Sequence, residues 1–270
     1  MQNKSIIHAD LSGKVALVTG ASQGLGAFYA EVLAKNGAIV VASGRASSVD
    51  RLNAVVQRIQ DQGFKAVSLV LEMTDFGSFQ SKVAEIVQQF GHLDILVNNA
   101  GVSVDQDFFA VTEQSWDLHM DTNLKGLFFL SQAVAKQMKR QEAGGSMIHI
   151  AALNGEKVRK NCVAFAASKA GVLHLTKLMA YELIDYKIKV NAIQLGLFPS
   201  DAVKDWLDND PSANDYLQRI PAKRAGRFVD LEGPLLLLAS DASAYMYGTV
   251  LKVDGGFAMD VFMNLDIKNN

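Results

Sequence analysis

The segment with the clearest chemical potential is a glycine-rich turn near the start of the chain. Residues 19–26 read TGASQGLG and separate an apolar run, Val15–Val18, from an amphipathic stretch. Glycines allow a tight turn and a close backbone approach to a ligand, and the helix that follows offers unpaired N–H groups and a positive dipole end. The turn therefore predicts a pyrophosphate site, the alternative interpretation being an ordinary strand-to-helix loop. The residues predicted to form this site are Gly20, Ser22, Gln23, Gly24, Leu25 and Gly26.

A second group of polar residues follows the fourth apolar run. Residues 98–101 read NNAG and come directly after residues 95–97. In an open α/β sheet, ligands bind in the crevice outside the carboxyl ends of the strands. We therefore expect this segment to lie beside the glycine-rich turn. The residues expected to contact the ligand there are Asn98, Asn99, Ala100 and Gly101.

Short apolar runs rich in Val and Ile alternate with longer amphipathic stretches along the chain. Near-continuous apolarity is typical of strands buried on both faces, and alternation with helices indicates one parallel, doubly wound α/β sheet. The predicted strands are residues 15–18, 39–42, 67–71, 95–97, 147–150, 190–193 and 250–253. The predicted helices are residues 27–35, 50–62, 76–90, 112–140, 163–186 and 230–240. We find no repeat or linker and predict a single domain over residues 1–270.

The bulk composition excludes several classes of protein. The chain has 270 residues, of which 49% are hydrophobic, and this suffices for a full core. A net charge of −2 argues against nucleic-acid and membrane-surface partners, and no apolar run approaches the length of a membrane span. The single cysteine, Cys162, and a start without signal-peptide features favour a cytoplasmic protein. No metal site is predicted.

One long segment departs from the regular alternation. Residues 198–227 contain three of the four prolines and lie between two predicted strands. An irregular insertion of this length is commonly a lid or a binding loop, and we predict a substrate lid here. The alternative interpretation is a solvated, acidic pair of surface helices.

Five motifs, in their order and spacing, resemble those of the short-chain dehydrogenase/reductase family. They are the glycine-rich turn, the NNAG segment, Asn123 within DTNLKG, the SKAG run of residues 168–171 and the GTVLKVDGG run of residues 248–256. The resemblance extends over about residues 10–258. Within the family, the chain resembles the branch that includes 3-oxoacyl carrier-protein reductases and gluconate 5-dehydrogenases. It implies a Rossmann-type domain with seven parallel strands and helices on both faces, and an NAD(P)-dependent oxidoreductase of small carbonyl or alcohol substrates.

The resemblance assigns four positions to catalysis, and two of them lack a hydroxyl group. The family's asparagine and lysine correspond to Asn123 and Lys169. Phe165 stands where the family has its acid/base tyrosine, and Ala152 where it has a serine. Loss of general acid catalysis typically costs ~10²–10⁴-fold in rate, so we expect this chain to be inactive or very slow. His149, among apolar neighbours, is expected to be a core residue rather than a substitute base.

Two origins and two functions stay open. Exchanges that delete a hydroxyl and preserve shape fit both a natural pseudoenzyme and a deliberately engineered, inactive variant. The chain is then either an oxidoreductase with impaired catalysis or a non-catalytic NADP(H)-binding protein that acts as a sensor or scaffold.

The end of the second predicted strand bears on the choice of cofactor. An NAD-selective site needs a carboxylate there to bind the ribose 2′-hydroxyl, and the resemblance places Gly44 at that position. Arg45 follows, and a guanidinium can bind a 2′-phosphate through forked hydrogen bonds. We expect NADP(H) to be preferred over NAD(H), the alternative being that Arg45 is an ordinary solvated residue. The resemblance adds Glu72 and Met73 beside the adenine, Lys169 at the nicotinamide ribose, and Gly196 and Phe198 beside the nicotinamide.

The loop before Phe165 and two long helices suggest what the chain binds. Lys157, Arg159 and Lys160 favour an anionic substrate, although a solvated basic turn is an equal alternative. The predicted helices 112–140 and 163–186 have apolar residues on more than one face, and the resemblance implies a four-helix interface between subunits. We expect a homotetramer, the alternative being a monomer.

Overall fold

Seven parallel strands form the central sheet of the computed structural model, which describes residues 9–259. Their order is β3-β2-β1-β4-β5-β6-β7. The strands are β1 (Val15–Val18), β2 (Ile39–Gly44), β3 (Ala66–Val70), β4 (Ile95–Asn98), β5 (Gly145–Ala152), β6 (Ile188–Leu195) and β7 (Val250–Val253). Both ends of the predicted domain, residues 1–8 and 260–270, lie outside the described residues.

Helices cover both faces of the sheet. They are α1 (Gly24–Lys35), α2 (Val49–Asp61), α3 (Phe79–Phe90), α4 (Glu113–Met120), α5 (Leu127–Gln141), α6 (Val163–Leu183), α7 (Asp201–Asn209), α8 (Pro211–Arg219) and α9 (Glu232–Ala239). Helices α1, α2 and α9 pack on one face and α3, α5 and α6 on the other. Strand side chains alternate between these two cores: in β1, Ala16 and Val18 join the first, and Val15 and Leu17 the second.

The strand order reverses between β1 and β4. From β1 the chain moves outward through β2 to β3, and it then returns to add β4 on the opposite side of β1. At such a switch point the connections leave in opposite directions, and a crevice opens outside the carboxyl ends of the strands. This edge of the sheet therefore places the glycine-rich turn and the NNAG segment together.

The predicted fold class, a doubly wound Rossmann-type domain with seven parallel strands, is confirmed. Each predicted strand is present, with its ends shifted by at most two residues. The single predicted helix over residues 112–140 is interrupted, because Asp121–Gly126 forms a π-helical turn between α4 and α5. A π-turn adds a residue to one helical turn and is common at functional sites.

The segment over residues 198–227 is more regular than expected. It contains the two helices α7 and α8, so the prediction of an irregular insertion is wrong for most of its length. Pro211 begins α8 rather than breaking a helix, since the first helical position needs no N–H donor. Asp210 caps α8 by accepting the N–H of Ser212 at 2.8 Å.

Candidate active site

The glycine-rich turn joins β1 to α1 in a conformation that requires glycine. Gly20 and Gly24 have φ angles of +65° and +56°, in the left-handed region. A Cβ on Gly26 would lie 2.1 Å from the carbonyl oxygen of Gly20, so the inner side of the turn has no room for a side chain. A Cβ on Gly24 would meet nothing within 4 Å. The turn is therefore tightly packed on its inner side and open on its outer side.

The segment after β4 holds this turn in place. The side-chain amide of Asn99 donates to the carbonyl oxygens of Thr19 and Gly20 at 3.0 and 3.3 Å. The Thr19 hydroxyl oxygen accepts the N–H groups of Asn99 and Ala100, each at 3.0 Å. The NNAG segment thus lies against the turn, as predicted, and the Asn99 side chain forms hydrogen bonds with the backbone of the turn.

The first turn of α1 fits an anion. Its N-cap residue, Gln23, has an extended backbone and its side chain does not cap the helix. The first turn also contains no acidic residue. Backbone N–H groups at a helix start, with the positive end of the dipole, suit a phosphate. Residues 20–26 therefore fit the pyrophosphate of a dinucleotide.

The end of β2 lies beside the same turn. A Cβ on Gly44 would be 3.6 Å from the Cβ of Ser22. Arg45, which follows, is exposed. Glu72, just after β3, reaches this place as well, because its Oε1 accepts the N–H of Ala46 at 2.8 Å. Arg45, which is expected at the ribose 2′ position, and Glu72, which is expected beside the adenine, therefore belong to the same edge of the sheet.

The π-helical turn carries Asn123 into the interior. Gly126 allows this turn to pack on the end of β3, since a Cβ there would lie 2.3 Å from the carbonyl oxygen of Met73. Asn123 is fully buried, and its side chain accepts from the N–H of Val102 at 2.8 Å and donates to the carbonyl of Val102 at 2.9 Å. Asn123 thus fixes the loop that follows the NNAG segment.

Lys169 reaches the same place from α6. Its Nζ donates to the carbonyl oxygen of Ile150 at 2.8 Å. A Cβ on Gly101 would lie 3.6 Å from this Nζ and 3.1 Å from Oδ1 of Asn123, so the three residues converge. Burial lowers the pKa of Lys169 to about 8. The structure therefore brings together an amine, an amide and an exposed stretch of glycine backbone.

Two of the positions assigned to catalysis have no hydrogen-bonding side chain. Phe165 lies one helical turn before Lys169, with its ring centroid 5.9 Å from Nζ. Ala152 ends β5, and its carbonyl accepts the side-chain amide of Gln194 at 3.4 Å. Of the four positions assigned to catalysis, only Lys169 has a titratable group.

Gly196 and Phe198 follow β6 and are closely packed. A Cβ on Gly196 would lie 2.6 Å from Cα of Asp254, so the chain passes tightly beside the end of β7. Phe198 is buried, and its ring would lie 2.4 Å from a Cβ on Gly226. Phe198 therefore anchors both ends of the 198–227 segment to each other.

Known proteins resemble this chain over almost its whole length. Residues 20–258 match the family model described as enoyl-(acyl carrier protein) reductase. The 2-dehydro-3-deoxy-D-gluconate 5-dehydrogenase of Dickeya dadantii (strain 3937) is 36% identical over 248 residues, which are 92% of this chain and 96% of the relative. The 3-oxoacyl-(acyl-carrier-protein) reductase FabG of Staphylococcus epidermidis is 38% identical over 246 residues, 91% of this chain and 99% of the relative. This chain belongs to the short-chain dehydrogenase/reductase family.

Solved structures of family members have the same fold. A gluconate 5-dehydrogenase from Burkholderia cenocepacia J2315, in complex with NADP and tartrate, superposes with a TM-score of 0.87 at 33% identity, covering 93% of this chain and 98% of that one. A short-chain type dehydrogenase/reductase from Mycobacterium marinum gives a TM-score of 0.87 at 35% identity, with the same coverage. The predicted family is confirmed.

In this short-chain dehydrogenase/reductase, the basic loop after β5 is tied to the loop after β4. Arg159 donates both terminal nitrogens to the carboxylate of Asp105, at 2.6 and 2.7 Å. The N–H of Gln106 donates to the carbonyl of Asn161 at 2.8 Å. The expected positive charge at the crevice mouth is therefore partly neutralised by Asp105, while Lys160 is exposed.

Asn98 and His149 point into the core instead of the crevice. They are direct partners across β4 and β5. The Asn98 amide donates to the hydroxyl of Ser131 at 2.8 Å, so its expected contact with a ligand is wrong for the side chain. His149 is fully buried beside the hydroxyl of Thr176 at 3.0 Å. Burial, followed by the charge of Lys169, lowers the pKa of His149 to about 3, so it is an uncharged core residue, as expected.

Sequence reasoning missed that the Ser168 hydroxyl links two of the positions assigned to catalysis by resemblance. The hydroxyl of Ser168 donates to the carbonyl of Phe165 at 2.7 Å and accepts from the amide of Asn123 at 3.0 Å. Its position next to Lys169 was a usable signal, because a serine three residues after Phe165 can bond back along the helix.

A second missed link connects the ends of three strands. The Gln194 amide donates to the carboxylate of Glu156 at 3.3 Å, and Glu156 pairs with Lys252 at 2.7 Å. Because these residues are far apart in sequence, no local pattern could have predicted the link.

Within residues 9–259, no helix is sufficiently long and apolar to span a membrane. The same residues contain no group of three or more His, Cys, Asp or Glu placed to hold a metal ion.

Proposed function

We propose that this chain is an NADP(H)-binding oxidoreductase for carbonyls and secondary alcohols whose turnover is severely depressed. The observation that carries the proposal is the convergence of Asn123, Gly101 and Lys169. Phe165 lies one helical turn before Lys169, and Ala152 follows by two residues the Ile150 carbonyl that Lys169 binds. Asn123 holds the loop after the NNAG segment, Gly101 exposes its backbone, and Lys169 supplies a positive charge. Phe165 and Ala152 cannot supply a proton to a reacting oxygen.

The proposed cofactor lies along the carboxyl ends of β1, β2 and β4. Residues 20–26 would hold the pyrophosphate, Arg45 the 2′-phosphate and Lys169 the nicotinamide ribose. Bound NADP(H) supplies or accepts a hydride. Solved relatives with NADP, including a putative 2-deoxy-D-gluconate 3-dehydrogenase from Agrobacterium tumefaciens at 36% identity, support NADP(H) as the cofactor. The other residues proposed near the cofactor are Gly44, Glu72, Met73, Asn99, Ala100, Gly196 and Phe198.

The chain's own residues lack a hydroxyl group for the proton-transfer step. The Lys169 amine is directed to the carbonyl of Ile150. No hydroxyl at Phe165 connects that amine to a substrate oxygen, and no hydroxyl at Ala152 can stabilise charge on that oxygen. A missing proton donor typically costs ~10²–10⁴-fold in rate, and a missing electrostatic donor ~10²-fold or more. Losses within one cooperating set need not multiply.

A non-catalytic NADP(H)-binding protein, acting as a sensor or scaffold, is the second candidate. The observation in its favour is that the glycine-rich turn, Asn123 and Lys169 are all retained while both hydroxyls are missing. Phe165 and Ala152 fit either a natural pseudoenzyme or an engineered, inactive variant of an active enzyme.

The proposed substrate is a small anionic hydroxy or keto acid. Lys160 and Arg159 lie on the loop between β5 and α6, and Arg159 pairs with Asp105 on the loop after β4. Two of the relatives are named for gluconate derivatives, and the structure of one contains tartrate. We propose residues 198–227, with α7 and α8, as the lid over this substrate.

The proposed assembly is a homotetramer of single-domain subunits. On α6, Leu178 and Tyr181 are 51% and 83% exposed. Such apolar exposure on a long helix favours burial against another subunit. Light scattering is expected to give about four times the monomer mass of 29.2 kDa, and a monomer mass would contradict this assembly.

Restoring both hydroxyls tests the function. We expect the chain with Phe165→Tyr and Ala152→Ser to oxidise or reduce at least one member of a panel of hydroxy and keto acids with NADP(H). If that chain binds the cofactor but turns over nothing across the panel, the non-catalytic candidate replaces the oxidoreductase.

A further inference from the structure

The carboxylate of Asp105 occupies the part of Arg159 that an anionic substrate would need. Arg159, on the loop between β5 and α6, donates from both terminal nitrogens to Asp105 on the loop after β4, at 2.6 and 2.7 Å. The carboxylate of a substrate would bind a guanidinium through the same forked pair of hydrogen bonds. Binding of such a substrate at Arg159 therefore requires the Asp105 carboxylate to leave.

This ion pair lies where the proposed lid segment meets the crevice. Burial raises the pKa of the Tyr216 hydroxyl on α8 above its ordinary value, and the positive charges of Arg159 and Arg219 partly oppose this shift. Tyr216 packs between the rings of Trp206 and Phe257, with ring centroids 5.6 and 5.4 Å away. The Arg159 guanidinium is therefore within electrostatic reach of a helix that we propose as part of the lid.

The loop that carries Asp105 is anchored to α4 on both sides of that residue. On one side, the N–H of Val104 donates to Nε2 of His119 at 3.1 Å. On the other side, the side chain of Gln106 forms a hydrogen bond with the hydroxyl of Ser115. The backbone of Asp105 is therefore held in place, and its carboxylate is presented to Arg159 from a fixed position.

His119 can hold Val104 only as an uncharged ring with its proton on Nδ1. Nε2 must accept, because its partner is a backbone N–H, and Nδ1 must donate, because it lies 2.7 Å from the carbonyl oxygen of Ser115. The ring is fully buried. It joins α4 to the loop through two bonds to backbone, and a hydrocarbon side chain could form neither of them.

We propose that Asp105 is a specificity-determining residue that weakens the binding of anionic substrates by competing with them for Arg159. His119 is the positioning residue that keeps Asp105 in place. An acid binds at Arg159 only to the extent that its carboxylate displaces one that the fold already holds at bonding distance. The inference rests on the proposed anionic substrate, and it concerns how strongly the crevice binds such a substrate.

A double-mutant cycle on Asp105 and Arg159 tests this competition. Tartrate is titrated by calorimetry, with saturating NADPH and at constant ionic strength, into the unmodified chain, Asp105→Asn, Arg159→Gln and the double variant. Asp107→Asn is the matched control, because it removes the same charge from an exposed carboxylate on the same loop. The unfolding midpoint of each variant checks that the fold is intact.

We expect Asp105→Asn to tighten tartrate binding by roughly fivefold, because an exposed ion pair of good geometry no longer has to be broken. Asp107→Asn is expected to change the affinity by less than about twofold, because its exposed charge is screened. With Arg159→Gln in place, Asp105→Asn should also change it by less than about twofold, since no guanidinium is left to compete for. A gain of the same size in that background would overturn the competition.

Variants of His119 test its role in positioning. His119→Leu should tighten tartrate binding by about two- to threefold, because a released loop lowers the effective concentration of Asp105 at Arg159. His119→Gln keeps an oxygen that can accept the Val104 N–H, so its affinity should stay close to that of the unmodified chain. A purely structural role predicts weaker binding in His119→Leu. That result, or an equal gain in both variants, would overturn the role of His119.

The same titrations separate this inference from the proposed substrate. If tartrate binds the unmodified chain and Asp105→Asn leaves the affinity unchanged, Asp105 does not compete and the anionic substrate still stands. If tartrate binds neither the unmodified chain nor any of the variants, the anionic substrate is wrong and the inference fails with it.

Discussion

The glycine-rich turn and the start of α6 lie at the same edge of the sheet but differ in what they can do to a ligand. Around the turn, recognition comes from backbone N–H groups and from glycines whose neighbours leave no room for a side chain. Around Phe165 and Ala152, the chemistry depends on side chains, and those side chains are hydrocarbon. We therefore propose that binding and turnover are separable in this chain, because binding depends on backbone groups and turnover on two hydroxyls that positions 165 and 152 lack.

This difference has a structural basis. Backbone recognition is maintained by the fold itself, because Asn99 and Thr19 hold the turn through four hydrogen bonds. A side-chain hydroxyl can be deleted with little change in shape, since phenylalanine and alanine fill nearly the same space as tyrosine and serine. Deletion of the two hydroxyls therefore need not disturb the hydrogen bonds that hold the glycine-rich turn.

The largest expected effect separates the two missing hydroxyls. Phe165→Tyr alone should raise kcat/KM by ~10²–10⁴-fold, because it restores a proton donor. Ala152→Ser alone should raise kcat/KM by less than about tenfold, because a stabilised oxygen without a proton donor does not complete the reaction. Steady-state kinetics on the best hydroxy or keto acid measures both. A larger gain from the serine than from the tyrosine would show that another residue carries the proton.

The buried amine of Lys169 predicts a dependence of stability on pH. Its folded pKa of about 8 lies below its ordinary value of 10.5. Between these values the folded chain holds fewer protons than the unfolded chain, so stability rises with pH through that window. Below pH 8 the buried charge destabilises the fold by at most about 3 kcal/mol. Lys169→Met should therefore be more stable than the unmodified chain at pH 7, and this advantage should shrink toward pH 10.5.

Denaturant unfolding at several pH values measures this difference. Lys136→Met, at an exposed position on α5, is the control and should show no such change with pH. A constant difference between the Lys169→Met chain and the unmodified chain from pH 7 to 10.5 would contradict a lowered pKa.

A smaller effect tests the packing of the glycine-rich turn. Gly26→Ala places a methyl group where the Gly20 carbonyl stands and should cost roughly 1–3 kcal/mol in unfolding free energy, with weaker NADPH binding. Gly77→Ala is the control, because the nearest atom to a Cβ there is 3.8 Å away and its φ is not in the left-handed region. Equal stability of the two variants in urea would mean that the turn is looser than the geometry indicates.

The smallest effect concerns the 2′-phosphate. Arg45→Asp should lower the ratio of NADPH affinity to NADH affinity by about tenfold or more, because a carboxylate repels the phosphate that the guanidinium attracts. Arg51→Asp, exposed on α2, makes the same charge change farther along the chain. Fluorescence titration should find the ratio nearly unchanged in that control. Equal affinities of the unmodified chain for both cofactors would argue against a role for Arg45.

The fold was largely predictable from the sequence, because its determinants are local. Val- and Ile-rich runs predicted all seven strands. The glycine-rich turn predicted a helix directly after it, at residue 27, and α1 in fact begins within the turn at Gly24. The π-helical turn at Asp121–Gly126 was not predictable, because it depends on the close packing of Gly126 against Met73. A pair of helices in residues 198–227 was only the alternative interpretation, because the prolines that begin or flank α7 and α8 favoured an irregular segment.

The site was predictable only for residues that a local sequence motif identifies. Lys169, Asn123 and the glycines lie where the motifs placed them. Asn98 turned inward, because successive side chains of a strand point to opposite faces. The contact of Glu72 with Ala46 and the pairing of Arg159 with Asp105 depend on loops that meet only in three dimensions.

A comparison of NADPH binding by two forms of the chain tests the separation of binding from turnover most directly. The forms are the chain as it stands and the chain with Phe165→Tyr and Ala152→Ser, titrated at the same salt concentration and assayed for turnover in parallel. We expect dissociation constants within about threefold of each other, and turnover that differs by at least ~10³-fold. Turnover rates of the two forms within about tenfold of each other, or loss of NADPH binding in the unmodified chain alone, would contradict the account. That account assigns cofactor binding to the glycine-rich turn and proton transfer to positions 165 and 152.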